Sequence, residues 1–203
     1  MNNKGRLIVV SGPSGAGKGT ILNEILKLPE YVYSVSATTR APRKGEVDGK
    51  HYFFVSEAEF EKRIADKGFV EYARYNGNYY GTPLAFVESN LNAGRNVILE
   101  IEVQGAMQIK KTYPGALFIF MTPETREELA YRLRSRGTET DEVIAGRLSI
   151  ADAEVPSALL YDYIIFNERN GQEKAVSDFL AAVRASRLTP LYQYDQLKHY
   201  FYR

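Results

Sequence analysis

The apolar run Leu7–Val10 ends in Gly12-Pro13-Ser14-Gly15-Ala16-Gly17-Lys18-Gly19-Thr20, and a helical pattern starts at once and continues to about Leu28. No other feature constrains the fold as much. Glycines break a buried strand, and the break opens directly into a helix. They let the backbone curl so that successive N–H groups point inward. The helix adds its positive N-terminal end and its unpaired N–H groups, so the turn forms an anion cradle. The spacing matches the first seven positions of G-x-x-x-x-G-K-[ST], and Lys18 is placed to reach the β- and γ-phosphates of a nucleotide. Position eight is Gly19, and a hydroxyl arrives one residue late at Thr20.

The rest of the chain repeats the strand-then-helix rhythm. Asn96–Ile101 precedes a helical pattern over Gln104–Lys111, Ala116–Met121 precedes Glu124–Arg136, and Tyr163–Phe166 precedes Gln172–Ser186. Near-continuous apolar strands alternating with helices predict an α/β fold, a parallel sheet with both faces covered. Two stretches depart from the rhythm. From Thr38 to about Pro83 short strands surround a helix with a Ser56-Glu57-Ala58-Glu59 capping box. They end in Asn76-Gly77, a type I′ hairpin signal. That stretch reads as an antiparallel insert. Arg134–Arg147 has no strong core stripe and reads as a mobile helical lid. The expected organisation is a core of residues 1–37, 84–133 and 151–187, an insert of 38–83, a lid of 134–150 and an aromatic tail of 188–203. The tail is expected to dock on the body.

A phosphate cradle does not name a reaction, because motors, switches and kinases share it. Other residues discriminate. Arg40 and Arg43 flank Pro42, which stiffens the backbone between two guanidiniums suited to a bidentate grip on phosphate. Tyr52 and Tyr80 add phenolic donors to the same region. Glu71 lies in a strand-like stretch, and Glu100 and Glu102 lie at the carboxyl end of a very apolar strand, on one face by period two. In open α/β sheets ligands bind beyond that end. Burying these carboxylates without a ligand would be costly. Arg132, Arg134, Arg136 and Arg147 sit on or beside the lid, where closing cations would neutralise a transferring phosphoryl group and help exclude water.

Taken in order, GPSGAGKGT, SATTRAPRKGEVDGKHYFFV, FVEYARYNGNYYGTP, ILEIEVQGA and RLRSRGTETDEVIAGRL closely resemble the guanylate kinases, over nearly the whole chain to about Arg187. The resemblance implies a P-loop core, a lid and a GMP-binding insert. It implies transfer of the γ-phosphate of ATP to GMP with Mg²⁺, in purine nucleotide metabolism. By motif position, Arg40, Arg43, Tyr52 and Tyr80 would hold the GMP phosphate. Ser36, Glu71, Thr82 and Glu102 would read guanine. Gly12 to Thr20, with Arg132, would bind ATP, and Asn167 would lie near adenine. Lys18, Arg136 and Arg147 would act on the transferring group. Glu100 would serve the metal through water, with Thr20 the nearest hydroxyl. Guanine offers two donors and an O6 acceptor on one edge. A carboxylate with hydroxyls matches that edge and mispairs with adenine. Acceptance of dGMP is expected too, since no residue stands out as a reader of the 2′-hydroxyl. Gly19 stands where Ser is common in the family, and Glu100 and Glu102 where Asp is frequent.

The bulk numbers agree. A net charge of +1 on 203 residues favours neither nucleic acid nor a membrane as partner. The absence of Cys and the presence of only two His leave no thiolate or His-based metal site. The apolar runs are too short for a leader or a membrane span, so a cytoplasmic enzyme is expected. A non-catalytic guanylate kinase-like binding module would usually lack Lys18, Arg136 or Arg147. A GTPase switch would need an NKxD-type reader, which the chain does not contain.

Overall fold

A computed structural model describes residues 4–75, 77–135, 137 and 139–201. Its main sheet contains five parallel strands. They are β1 (Leu7–Ser11), β2 (Tyr31–Tyr33), β7 (Asn96–Glu100), β8 (Leu117–Thr122) and β9 (Tyr163–Phe166), in the order β2-β7-β1-β8-β9. β1 is central, in register with β7 (Val9 opposite Leu99) and β8 (Val9 opposite Phe118). Every residue of β1 and β8 is buried. The two-residue pleat divides them between two cores. Ile8, Val10, Ile119 and Met121 pack with Ile21, Leu22 and Ile25 of α1 (Lys18–Ile25) and Phe179 of α7 (Gln172–Ser186). Leu7, Val9, Phe118 and Phe120 pack with Val87 of α3 (Leu84–Asn92) and Ala106 and Ile109 of α4 (Val103–Thr112). Helices on both faces explain the unbroken apolar runs.

A second sheet stands apart, in the order β4-β3-β6-β5, with β3 at Ala37–Thr38, β4 at Phe53–Phe54, β5 at Phe69–Tyr75 and β6 at Asn78–Pro83. Its β3–β6–β5 ladder is antiparallel, and β4 adds to β3 in parallel. Tyr75 pairs with Asn78, and Gly77 has φ +78°, as a two-residue hairpin requires. Asn76 lies outside the described residues. The capping serine is as expected: Ser56 accepts from the Glu59 N–H at 3.2 Å and starts α2 (Glu57–Ala65). Phe60 of α2 is fully buried between Phe69 and Tyr79, at ring distances of 4.3 and 5.1 Å. That burial contributes about 1.5–3 kcal/mol and seats the helix on the sheet.

α5 (Arg126–Ser135) and α6 (Asp141–Glu154) form a helical pair. A small core lies between them, to which the described residues of the Arg134–Arg147 stretch contribute only Ile144. Ile144, Leu148 and Ala151 are buried against Leu129, Ala130 and Leu133. The tail forms α8 (Pro190–Phe201) and docks through Tyr192, whose hydroxyl donates to the Lys4 carbonyl at 3.1 Å beneath the Arg6 guanidinium. No helix among the described residues is long and apolar enough to cross a membrane.

Candidate active site

The loop after β1 has the torsions that its sequence demands. Gly12 has φ +146°, and a Cβ there would lie 1.9 Å from the Met121 carbonyl oxygen. Gly17 has φ +86°, and a Cβ there would lie 2.4 Å from the Asn167 amide nitrogen. Both positions exclude a side chain by strain and by collision. Pro13 and Ala16 are buried, with Ala16 N–H donating to the Pro13 carbonyl at 3.1 Å. Gly15 has φ +94° and rests on Leu129 and Leu133 of α5.

Lys18 folds back over this loop. Its ammonium donates to the Gly12 and Pro13 carbonyls at 2.6 and 3.2 Å and stands 3.8 Å from Glu100. Burial lowers its pKa, and the Glu100 charge opposes that shift. Arg147 of α6 donates to Ser14 Oγ at 3.1 Å and pairs with Glu139, so α6 touches the loop directly. Arg132 donates to the Ala16 carbonyl at 3.2 Å and the Asn167 carbonyl at 2.7 Å while paired with Glu128 at 2.8 Å. The Asn167 amide donates to the Ala16 carbonyl at 2.9 Å. Arg132 from α5 and Asn167 just after β9 thus brace the loop. Arg136 lies outside the described residues.

Across from the loop, β5 carries a bulge. Phe69 pairs with Pro83 and Tyr72 with Gly81, so Val70 and Glu71 together oppose Thr82. The extra residue turns Glu71 inward. Its carboxylate is buried and accepts from the Thr82 hydroxyl at 2.7 Å. Burial raises its pKa, and hydrogen bonds from the Thr82 hydroxyl and backbone N–H oppose that shift. Gly105 lets α4 come close, since a Cβ there would lie 3.1 Å from Glu71 Oε2. Tyr52 and Tyr80 meet edge-on at 5.9 Å. Arg40 is held by Glu46, and the exposed Arg43 donates its backbone N–H to the same carboxylate at 2.6 Å.

One cleft of about 960 Å³ joins the two sides. Gly12, Ser14, Lys18 and Arg147 line one wall, and Ser36, Tyr52, Glu71 and Tyr80 line the other, with Glu100 and Glu102 between them. Of the sequence-derived candidates, Pro13, Gly15, Ala16, Gly17, Gly19, Thr20, Arg40, Arg43, Thr82, Arg132 and Asn167 do not line it. Strand periodicity does not unite Glu100 and Glu102: β7 ends at Glu100, and Glu102 is the N-cap of α4. Sequence reasoning missed Tyr33 on β2 and Glu154 at the end of α6, both of which line the cleft. Tyr33 sits in a short edge strand with no apolar run to announce it. Glu154 carries no local signal. Burial raises its pKa, with the Glu102 charge adding to the shift. Glu100, Glu102 and Glu154 border the cleft, but no three acidic, His or Cys side chains among the described residues converge to hold a metal ion directly, so any Mg²⁺ here would be held largely through water. Nothing lies within 4 Å of a Cβ built at Gly19, so crowding does not explain the glycine there.

A phosphate loop on the central strand, facing a second sheet across one cleft, defines a P-loop protein of the α/β class. The guanylate kinase family model matches residues 4–185. The chain is 50% identical over 189 residues to a guanylate kinase of Carboxydothermus hydrogenoformans, covering 93% of this chain and 92% of that one. It is 55% identical over 170 residues to one of Streptococcus thermophilus, covering 83% and 81%. The crystal structure of guanylate kinase from Anaplasma phagocytophilum superposes with a TM-score of 0.72 at 33% identity, covering 92% of this chain and 88% of that one. The chain belongs to the guanylate kinase family.

Proposed function

We propose that this cleft transfers the γ-phosphate of ATP to GMP, giving ADP and GDP, and that the residues divide the work by wall. GMP phosphorylation is the activity of the family, and one observation carries the assignment of sides. Lys18 and Glu71 line the same space from opposite elements. A donor phosphate on the loop and a purine on the second sheet therefore have one place to meet.

On the donor side, the loop N–H groups and Lys18 hold the β- and γ-phosphates, and Arg147 follows them as α6 closes. Arg132 and Asn167 act one step back. Their donors are committed to the Ala16 and Asn167 carbonyls, so they fix the loop on which ATP rests. On the acceptor side, Arg40, Arg43, Tyr52 and Tyr80 take the GMP phosphate. Glu71 accepts from guanine N1–H and the 2-amino group. Thr82 spends its hydroxyl proton on Glu71, so it aims the carboxylate, and Ser36 is left to donate to O6. Glu102 borders the same pocket. The insert of residues 38–83 and the lid of 134–150 close over the substrates and exclude water, which would otherwise take the phosphoryl group.

Mg²⁺, when bound with ATP, would neutralise the charge between the β- and γ-phosphates. Glu100, beside Lys18, is the residue that would hold it through water. Thr20 is exposed on the first turn of α1. Deoxyguanylate should serve as acceptor as well, and a cytoplasmic place in purine nucleotide metabolism follows from this reaction.

The test is ADP formation from ATP and Mg²⁺ with GMP, dGMP, AMP, CMP and UMP offered separately. Turnover confined to GMP and dGMP is expected. Turnover with AMP at a comparable rate would remove the guanine pocket from this account.

A further inference from the structure

The acceptor-phosphate side contains a carboxylate that electrostatics alone would not put there. Glu46 meets Arg40 edge to edge, with Nη2 donating to Oε1 at 2.8 Å and Nη1 to Oε2 at 3.0 Å. Glu46 Oε2 also accepts the Arg43 backbone N–H at 2.6 Å, and the Glu46 N–H returns a bond to the Arg43 carbonyl at 3.0 Å. One carboxylate thus ties together both arginines assigned to a phosphate. The Arg40 and Glu46 side chains are largely covered, at 15% and 18% exposure, so this is more than a loose surface pair. The Arg40 bond, with the Arg43 N–H next, holds the Glu46 carboxyl down to about 2, and the carboxylate stays charged throughout the working range.

A carboxylate competes with a phosphate for guanidinium. Here it does so on one edge only. With the Nη1–Nη2 edge occupied, and Nη1 also donating to the Ala41 carbonyl at 2.7 Å, Arg40 is left with Nε–H and the outer N–H of Nη2, beside the Tyr80 hydroxyl that also interacts with the guanidinium. Its guanidinium lies 5.5 Å from the Tyr52 ring and 5.9 Å from the Phe54 ring. A free arginine would lose rotamer freedom on gripping a ligand, and one already clamped loses less. The loop is fixed to match: the Phe54 N–H donates to Asp48 Oδ1 at 2.8 Å and the Val47 N–H to His51 Nδ1 at 3.0 Å.

We propose that Glu46 is a positioning residue for the acceptor phosphate, clamping Arg40 and the backbone of Arg43 so that the guanidinium of Arg40 presents one fixed edge to a phosphomonoester. This rests on the reading of residues 38–83 as the GMP site. It assigns Glu46 no contact with the base or with ATP, so its loss should be felt through the phosphate alone.

Glu46→Gln keeps the shape but loses the charge and sets an amide N–H₂ against the guanidinium. The expected result is a GMP KM raised about tenfold or more, with the KM for ATP and the inhibition constant of guanosine, which has no phosphate, changed less than about twofold. Glu46→Asp, with the charge at shorter reach, should recover part of the loss and serves also if the Gln variant folds poorly. In an Arg40→Ala background the effect of Glu46→Gln should shrink, since the clamped partner is gone. A GMP KM unchanged or lowered by Glu46→Gln overturns the proposal, and lowering would mean that Glu46 competes with substrate. An equal rise in the guanosine constant overturns it in favour of a general structural role. If Arg40→Ala itself leaves the GMP KM unchanged, the acceptor-site reading fails, not the clamp alone.

Discussion

Glu71→Gln separates guanine recognition from folding, and its size follows from the geometry. Oε1 of Glu71 takes the Thr82 hydroxyl at 2.7 Å, and the Thr82 backbone N–H donates to the same carboxylate. A backbone N–H cannot accept, so a glutamine there must keep its oxygen toward Thr82. The amide nitrogen is then forced into the other position, the one left for the base. Guanine presents two donors to it. One charge-assisted hydrogen bond becomes a donor facing a donor, and the other loses its charge. At about 1.5–3 kcal/mol for a hydrogen bond to a charged group, the loss is about 3 kcal/mol, or about 100-fold in kcat/KM for GMP. Stability should move the opposite way. Because burial raises the Glu71 pKa above its unfolded value, its contribution to stability is complete below about pH 4.5 and is lost as pH rises through the folded value. At neutral pH the ionised group is a burden, so Gln should leave the melting temperature equal or higher. The assay is coupled ADP formation over a GMP series at saturating ATP, beside calorimetry of both proteins. A change in kcat/KM below about threefold, or a melting temperature that drops together with activity, would refute the reasoning.

Two further outcomes follow from the same atoms. Lys18→Ala should lower kcat by about 10²–10³-fold or more while a cooperative melting transition persists, because a partly desolvated cation aimed at the transferring group is lost without opening the core; near-normal turnover would refute the role given to the loop. Thr82→Val removes one of the two bonds that hold the Glu71 pKa down, so the acid limb of kcat/KM for GMP should move to higher pH than in the parent, the phosphate of GMP titrating alike in both; an unmoved or lowered limb would show that Glu71 is not the group titrating.

The elements that the sequence revealed share a physical property that the ones it hid lack. β1, β7 and β8 are buried on both faces, so their inner stretches Leu7–Val10, Val97–Leu99 and Leu117–Met121 are apolar without interruption, and the loop after β1 needs positive φ at Gly12, Gly15 and Gly17. Composition alone records both requirements. β2 has one strand neighbour and three residues, and it leaves no such record. The bulge at Val70 and Glu71 adds one residue to a strand whose alternation looks ordinary, yet it is what turns the carboxylate toward the cleft. Local chemistry marked Glu71 only as an unexplained acid, and the family resemblance gave it a purine. The arginines show the same limit more sharply. Arg132, Arg147 and Arg40 look alike in sequence as free cations. In the fold Arg132 braces the Ala16 carbonyl 116 residues away, Arg147 reaches Ser14 across 133 residues, and Arg40 is clamped within its own loop. Which cation touches phosphate and which holds the frame depends on the partner each one meets, and for Arg132 and Arg147 that partner lies more than a hundred residues away in the chain.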